Sequence, residues 1–514
     1  MDIQWANNEM AQAKIGDERS RENLIKLCAT LAVQPGIAFS RACQEGGRKA
    51  AHRLFRQPGS TPLSLLRGHI QQTALRCQEL AAPLVLAASD STSMDFSTHK
   101  ATHGLGPITT CAKTRGFHTH SVLALTEEGL PLGLLHQEHW VRPTAEEILS
   151  PKGKTLTPKP DKRQREKDHE QSKKRAFADK ESFKWLSALQ AVERALPPEQ
   201  KVLLIQDREA DIFEFIQAPR RVNTHLLIRA AQPRRVAVLP DVGAEASFEA
   251  HLLNRKQGHP NLFDVLATSP VMRVDTLEVG RRPDQPARRA LMSIKYIAVR
   301  LVPPARQGRL YSVNQCPLVW LLEAQEVVED VILASADNQE SSEEFRNFIA
   351  KPKGLHWVLL CTLPILDVDQ ASITIQYYAR RWQIERFHFV LKSGCQVEKL
   401  QMDRVSSLQK ALSVYSVVAW WLLYLTHLAR IAPDTPAESV MDPSLIAVVS
   451  AGERRGVTSV SALVLAIARQ GGFRRLPSAP YPGVKSLWLG LRRLYDRYQG
   501  WQLAIQSLKN AGQD

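Results

Sequence analysis

Cysteine is sparse in this chain: seven residues in 514, at positions 28, 43, 77, 111, 316, 361 and 395. Their number is odd and no two form a Cys-x-x-Cys pair, which argues against a disulfide framework or zinc knuckle and predicts a reducing, cytoplasmic setting. Residues 1–30 carry Asp2, Glu9, Asp17, Glu18 and Glu22 and lack an apolar core, so no signal peptide is read there. Long hydrophobic runs are missing too. The richest stretch, 411–425, is interrupted by Ser413, Tyr415 and Ser416. Its unbroken part, Val417–Leu425, falls far short of the roughly 20 residues of a bilayer crossing, so a buried helix is expected and no membrane partner.

Negative charge is in deficit: 52 Asp and Glu face 67 Lys and Arg, a net charge of +15, with a pI near 9.5. Such an excess makes a polyanion the natural partner, because each neutralised phosphate releases condensed counterions. On charge alone, nucleic acid and an acidic membrane surface both fit. Hydrophobic content of 44% with 23% charged residues excludes a disordered chain. The length calls for about two to four structural units, and no internal repeat is visible.

Residues 1–75 read as helices; within Gly16–Val33, Leu24, Leu27, Cys28, Leu31 and Ala32 form a helical stripe. Basic residues (Arg19, Arg21, Lys26, Arg41, Arg48, Lys49, Arg53, Arg56) run through this section, as a solvated face or as DNA contacts. From residue 83 the periodicity becomes that of strands: Leu84–Ala88, His120–Thr126 and Leu132–Leu135, the last two joined by a hairpin-like turn over Glu127–Pro131. Residues 151–184 hold twelve Lys/Arg and six Asp/Glu without an apolar face, predicting an exposed loop or flexible insertion. A helix over Ser182–Ala195 and strands at Val202–Ile205 and His225–Arg229 follow. Residues 235–350, with β-formers at Ala290–Val302 and Asp330–Ala334, read as a β-rich insertion. A strand at Trp357–Leu363 and a long helix over Ala371–Ser393 come next, and the remainder reads as helical.

Two carboxylates stand where apolar runs stop, Asp90 after Leu84–Ala88 and Asp207 after Val202–Ile205. Strand ends of open α/β sheets face the ligand crevice, although taken singly each residue is more readily explained as a cap or turn residue. A third element is sharper. Tyr378, Arg381, Glu385 and Lys392 are offset by 0, 3, 7 and 14 residues, which at about 100° per residue confines them to a narrow helical arc. A salt-bridged solvated face would also show charges at such spacing. Cleavage of a phosphodiester by divalent metals uses two cations about 4 Å apart, held by hard oxygen ligands. Asp90, Asp207 and Glu385 supply that set, with Arg381, Lys392 and Tyr378 to hold phosphate.

These residues, together with Asp90-Ser-Thr-Ser, Gly133-Leu-Leu-His-Gln-Glu-His-Trp-Val-Arg-Pro143, Asp207-Arg-Glu-Ala-Asp-Ile212, Phe387-His388, Gly471-Gly472-Phe473 and Leu487-Trp488-Leu489-Gly490, occur in a characteristic order. In that order the chain resembles the insertion-sequence-four family of DDE transposases, the transposon-five branch in particular. The resemblance implies an α/β fold: a ribonuclease-H-like catalytic core over 76–234 and 351–400, interrupted by a β-rich insertion over 235–350. A helical DNA-end-binding region over 1–75 and a helical C-terminal dimerisation region over 401–514 flank it. It further implies a cut-and-paste transposase with Asp90, Asp207 and Glu385 as catalytic metal ligands for Mg²⁺, or Mn²⁺ in its place. Such an enzyme nicks transposon ends, forms and opens a DNA hairpin, and joins 3′-hydroxyls to target DNA, working as a homodimer on two ends. By the same resemblance Trp357 and Trp382 are candidate platforms for an extruded base. Arg229, Arg234 and Arg235, with Arg208 and His388, join Tyr378, Arg381 and Lys392 as DNA contacts. The long charged loop at 151–184 departs from the pattern. Two other readings are a catalytically silent DNA-binding relative and a structure-specific nuclease of the same fold.

Overall fold

A computed structural model describes residues 3–80, 82–109, 111, 113–143, 176–239, 258–280, 288–304, 315–327, 354–454, 456–476 and 480–511. Along the chain, helices α1 (Ile3–Met10), α2 (Glu18–Val33), α3 (Phe39–Ala42), α4 (Glu45–Arg56) and α5 (Pro62–Glu79) precede strands β1 (Val85–Asp95), β2 (Gly106–Pro107), β3 (Arg115–Leu125) and β4 (Pro131–Trp140). Next come α6 (Lys184–Ala195), β5 (Val202–Gln206), α7 (Phe213–Ile216), β6 (Thr224–Arg229), β7 (Val236–Val238), α8 (Leu262–Thr268), β8 (Arg273–Val279), β9 (Arg288–Leu301), β10 (Leu318–Glu326) and β11 (His356–Cys361). The chain finishes with α9 (Val368–Arg380), α10 (Trp382–Phe389), α11 (Val405–Ile431), α12 (Pro443–Ser450), α13 (Val460–Gln470) and α14 (Val484–Ala511). This is a mixed α/β fold with a helical N-terminal region.

Local chemistry sets the helix starts. The Asp17 side chain accepts the Ser20 N–H to open α2. Thr61 and Ser64 form a reciprocal capping box, with Pro62 in the first turn, for α5. Asp367 accepts the Gln370 N–H at 2.8 Å to start α9.

The chain folds as two compact units. The first comprises Met1–Arg175, Ala191–Pro197 and Trp382–Asp514. Its sheet has β3 at the centre, antiparallel to β1 on one side, and to β2 and β4. Helix α11 is the hub, packed against α2, α4, α5, α10, α13, α14 and β4. By length and composition α11 could cross a membrane, but 94% of its most apolar window is buried by the protein. It serves as the expected core helix. In this unit the N-terminal and C-terminal helices share one core, where the sequence had suggested separate regions.

The second unit comprises Ala176–Gln190 and Pro198–Arg381. Its strand order is β5-β6-β11-β10-β9-β7, with β8 also on β9. β5 and β6 are parallel and the other pairs antiparallel. The β-rich segment is therefore no appendage: β10 pairs with β11 from Trp320↔Cys361 to Gln325↔His356, continuing one ladder. Helix α8 packs on β9 and β10, and α9 on β8, β9 and β10. The strand expected at Asp330–Ala334 and most of the charged 151–184 stretch lie outside the described residues.

Candidate active site

In the first unit Asp90 lies inside β1, not at its end. The strand runs five residues further because Ser91 to Asp95 keep pairing with β3 through Asp95↔Gly116. Asp90 sits opposite Ser121, and Asp90 Oδ1 accepts the Ser91 N–H at 2.7 Å. Glu385 belongs to α10, which packs directly on β1 and β3. Ile384, Phe387, His388 and Leu391 form the buried stripe of that segment, at the i, i+3, i+4, i+7 spacing of a core-facing helix. Glu385 lies off this stripe and is half-buried. Two of the three carboxylates are thus carried on two packed elements.

The helix expected over Ala371–Ser393 is not uniform. It breaks at Arg381 between α9 and α10, and Val390–Gly394 forms a π turn. A π turn takes more residues per revolution than an α-helix, so Lys392 leaves the arc that a regular helix would give it. Its Nζ donates to the Ser93 carbonyl at 2.6 Å and lies 3.7 Å from Glu398. Glu398 in turn accepts the Asp95 N–H at 2.9 Å. Lys392 therefore ties the π turn to the strand that bears Asp90. His388 is buried at 7% exposure, within the packing face of α10, whereas Trp382 is 45% exposed.

In the second unit Asp207 follows β5 directly and caps a short 3-10 turn, its Oδ1 accepting the Glu209 N–H at 2.9 Å. The cap reading of the sequence holds for this residue. Because β5 and β6 are parallel with Gln206 beside Ile228, Asp207 and Arg229 follow at adjacent carboxyl ends. Tyr378, 4% exposed, stacks edge-on against Trp357 with ring centroids 5.1 Å apart. Burial raises the Tyr378 phenol's pKa and the Asp207 charge adds to this, against the Arg381 and Arg229 cations, with Arg381 also hydrogen-bonded to the phenol. Burial lowers the Arg229 pKa, as do Arg208 and Arg381, while Tyr378 opposes. Asp207, Arg229, Tyr378, Arg381 and Trp357 are thus assembled in one place. Arg208 itself is exposed.

The remaining arginines do other things. Arg234 Nε donates to Asp211 Oδ1 at 2.5 Å, and Arg235 Nη1 to the His259 carbonyl at 2.8 Å. Sequence reasoning missed the Asp211–Arg234 pair. It also missed two rungs beside Asp90, Ser91 Oγ to His120 Nδ1 at 2.9 Å and Ser93 Oγ to His118 Nδ1 at 3.2 Å. The signal was present as Ser-x-Ser and His-x-His, whose period of two puts each pair on one face of a strand.

Among the described residues, no group of three or more His, Cys, Asp or Glu side chains is placed to hold a metal ion. Asp90 and Glu385 fall in the first unit and Asp207 in the second. The donors themselves suit a hard divalent cation, being carboxylate oxygens, and Asp90 and Asp207 each have one oxygen oriented by a local backbone N–H.

Residues 2–59 match the family model described as transposase DNA-binding. That stretch spans α1 to α4. The match supports a transposase with DNA as its partner.

Proposed function

We propose that this chain is a cut-and-paste DNA transposase of the insertion-sequence-four type, and that Asp90, Asp207 and Glu385 are its catalytic carboxylates. The single observation that carries the reading is the N-terminal match to a transposase DNA-binding family, on a chain of net charge +15. Further support comes from the packing of the Glu385 helix on the Asp90 strand and from the cationic cluster gathered around Asp207.

On this reading Asp90, Asp207 and Glu385 hold Mg²⁺ or Mn²⁺, which would activate the attacking oxygen and stabilise the leaving one. Arg229 and Arg381 bind a phosphate near Asp207, and Tyr378 fixes their side chains. Trp382, on the exposed side of α10, stacks an extruded base while a hairpin forms and reopens. A core of ribonuclease-H type carries these groups. A homodimer brings two transposon ends together in the cytoplasm and joins them to target DNA. Trp501, Leu503 and Leu508, exposed along the last turns of α14, supply an apolar contact for that dimer. The test is direct: purified protein with Mg²⁺ nicks a duplex bearing the inverted repeat that flanks its gene. Metal-dependent cutting that ignored the repeat would identify a structure-specific nuclease, and binding without cutting a silent relative.

A further inference from the structure

A buried ionic network joins α1, α5, β4 and α11, all within the first unit. Glu9, its side chain 3% exposed, contacts His69 Nδ1 at 2.5 Å and Arg76 Nη1 at 2.5 Å. Arg76 also donates from Nε to the Leu132 carbonyl at 2.6 Å, and its guanidinium lies 4.4 Å from the Trp420 ring centroid. His69 Nε2 accepts the Leu134 N–H at 2.9 Å. A ring nitrogen that accepts a backbone N–H carries no proton, so His69 is the neutral Nδ1–H tautomer, donating to Glu9. Burial lowers the His69 pKa, against the pull of Glu9.

The strand end of this network is equally specific. The β3–β4 register shifts twice, between Val122 and Leu123 and between Ala124 and Leu125. Leu132 and Leu134 lie in that irregular stretch, and their backbone groups are satisfied by side chains of α5. Gly133, between them, has φ +142, and a Cβ there would collide with Thr73 Oγ1. At the other end, a Cβ on Gly68 would stand 2.6 Å from the Glu9 carbonyl oxygen. Helix α5 is clamped at close range to α1 on one side and to β4 on the other.

We infer that Glu9, His69 and Arg76 are positioning residues, which hold the DNA-binding helices in fixed register with the strand ladder bearing Asp90. The inference rests on the transposase reading above. α1 lies within the stretch that matches the DNA-binding family, and β4 pairs with β3, the neighbour of β1. The phosphodiester that is cut is therefore set partly by this joint and not by base contacts alone.

Two full-length variants test it, Glu9→Gln and Gly133→Ala, which weaken the joint from opposite ends. Hydrogen exchange across residues 130–136 is expected to rise about ten-fold in both, with α13 unchanged as an internal control. Affinity for a duplex carrying the flanking inverted repeat stays within about three-fold, while the Mg²⁺-dependent nick spreads to neighbouring phosphodiesters. A loss of fold alone would lower the amount of cutting without moving the nick. Unchanged exchange, or raised exchange with an unmoved nick, overturns the inference. If Glu9→Gln loosens α13 as well, Gly133→Ala alone decides. Should the parent protein bind the duplex and cut nothing, the transposase reading fails, and unchanged exchange would separately overturn the joint.

Discussion

Arg234 grips Asp211 twice, through Nε on the carboxylate and through Nη2 on the backbone carbonyl, each at 2.5 Å. The same carboxylate accepts the N–H groups of Ala231 and Gln232. Asp211 has no exposed side-chain surface and Arg234 only 10%. Breaking a buried pair leaves an uncompensated charge, so Arg234→Ala is expected to cost about 3 kcal/mol in chemical denaturation. Its effect on the salt dependence of DNA binding should be nil. A fall in the salt slope without a loss of stability would return Arg234 to the DNA contacts.

Replacing the carboxylates separates chemistry from binding. Asp207→Asn and Glu385→Gln are each expected to reduce Mg²⁺-dependent nicking by at least ~100-fold. Affinity for the same duplex should hold within a few-fold. Normal cutting by either variant, measured on a sequencing gel, would remove that residue from the metal site.

The exposed face of α4 offers another test. Lys49, His52, Arg53 and Arg56 follow helical spacing, and the last three line a cleft of about 500 Å³ with Arg19. Burial, then the charges of Arg56 and Arg48, lower the His52 pKa, as expected where cations crowd together. Arg53→Ala should weaken duplex binding and reduce the slope of log K against log salt by about 0.9, the share of one phosphate. An unchanged slope would leave this face merely solvated.

Acid should destabilise the first unit through His139. Burial, with a smaller push from His136, drives its pKa down to about 3. Nδ1 lies 3.0 Å from Thr119 Oγ1. A depressed folded value means the neutral ring stabilises the fold above the ordinary pKa of 6.5, and this stability is lost as pH falls from there towards 3. The full effect is on the order of 5 kcal/mol. His139→Leu should flatten that limb of the stability profile in urea titrations. A slope that persisted would point to other groups.

Of the two tryptophans proposed as base platforms, only Trp382 presents substantial open surface, since Trp357 is half-buried against Tyr378. Trp382→Ala should spare the first nick and slow hairpin formation by an amount equivalent to about 1–3 kcal/mol, the scale of one stacked base. Equal loss at both steps would argue for a general role in packing.

Much of this architecture was legible because its signals are local. Strands β1, β3, β4, β5 and β6 announce themselves as short apolar runs, and Glu127–Pro131 as the turn between β3 and β4. What escaped depends on partners distant in sequence. Asp90 looked like the end of a strand because the apolar run stops there, yet pairing with β3 carries the polar Ser91 to Asp95 onward. Lys392 fitted a single helical arc only under the assumption of a uniform helix, which the π turn breaks. Glu9, His69 and Arg76 carried no local pattern, since 60 residues separate the first two.

Helix α11 is enclosed nearly all round, from Leu408 to Ala429. Such an element has no wet side on which mutations could accumulate harmlessly. Tolerance along it should lack the usual rise and fall every three or four residues and follow side-chain volume instead. Substitutions that survive there in functional copies are therefore expected to be those that keep both apolar character and volume.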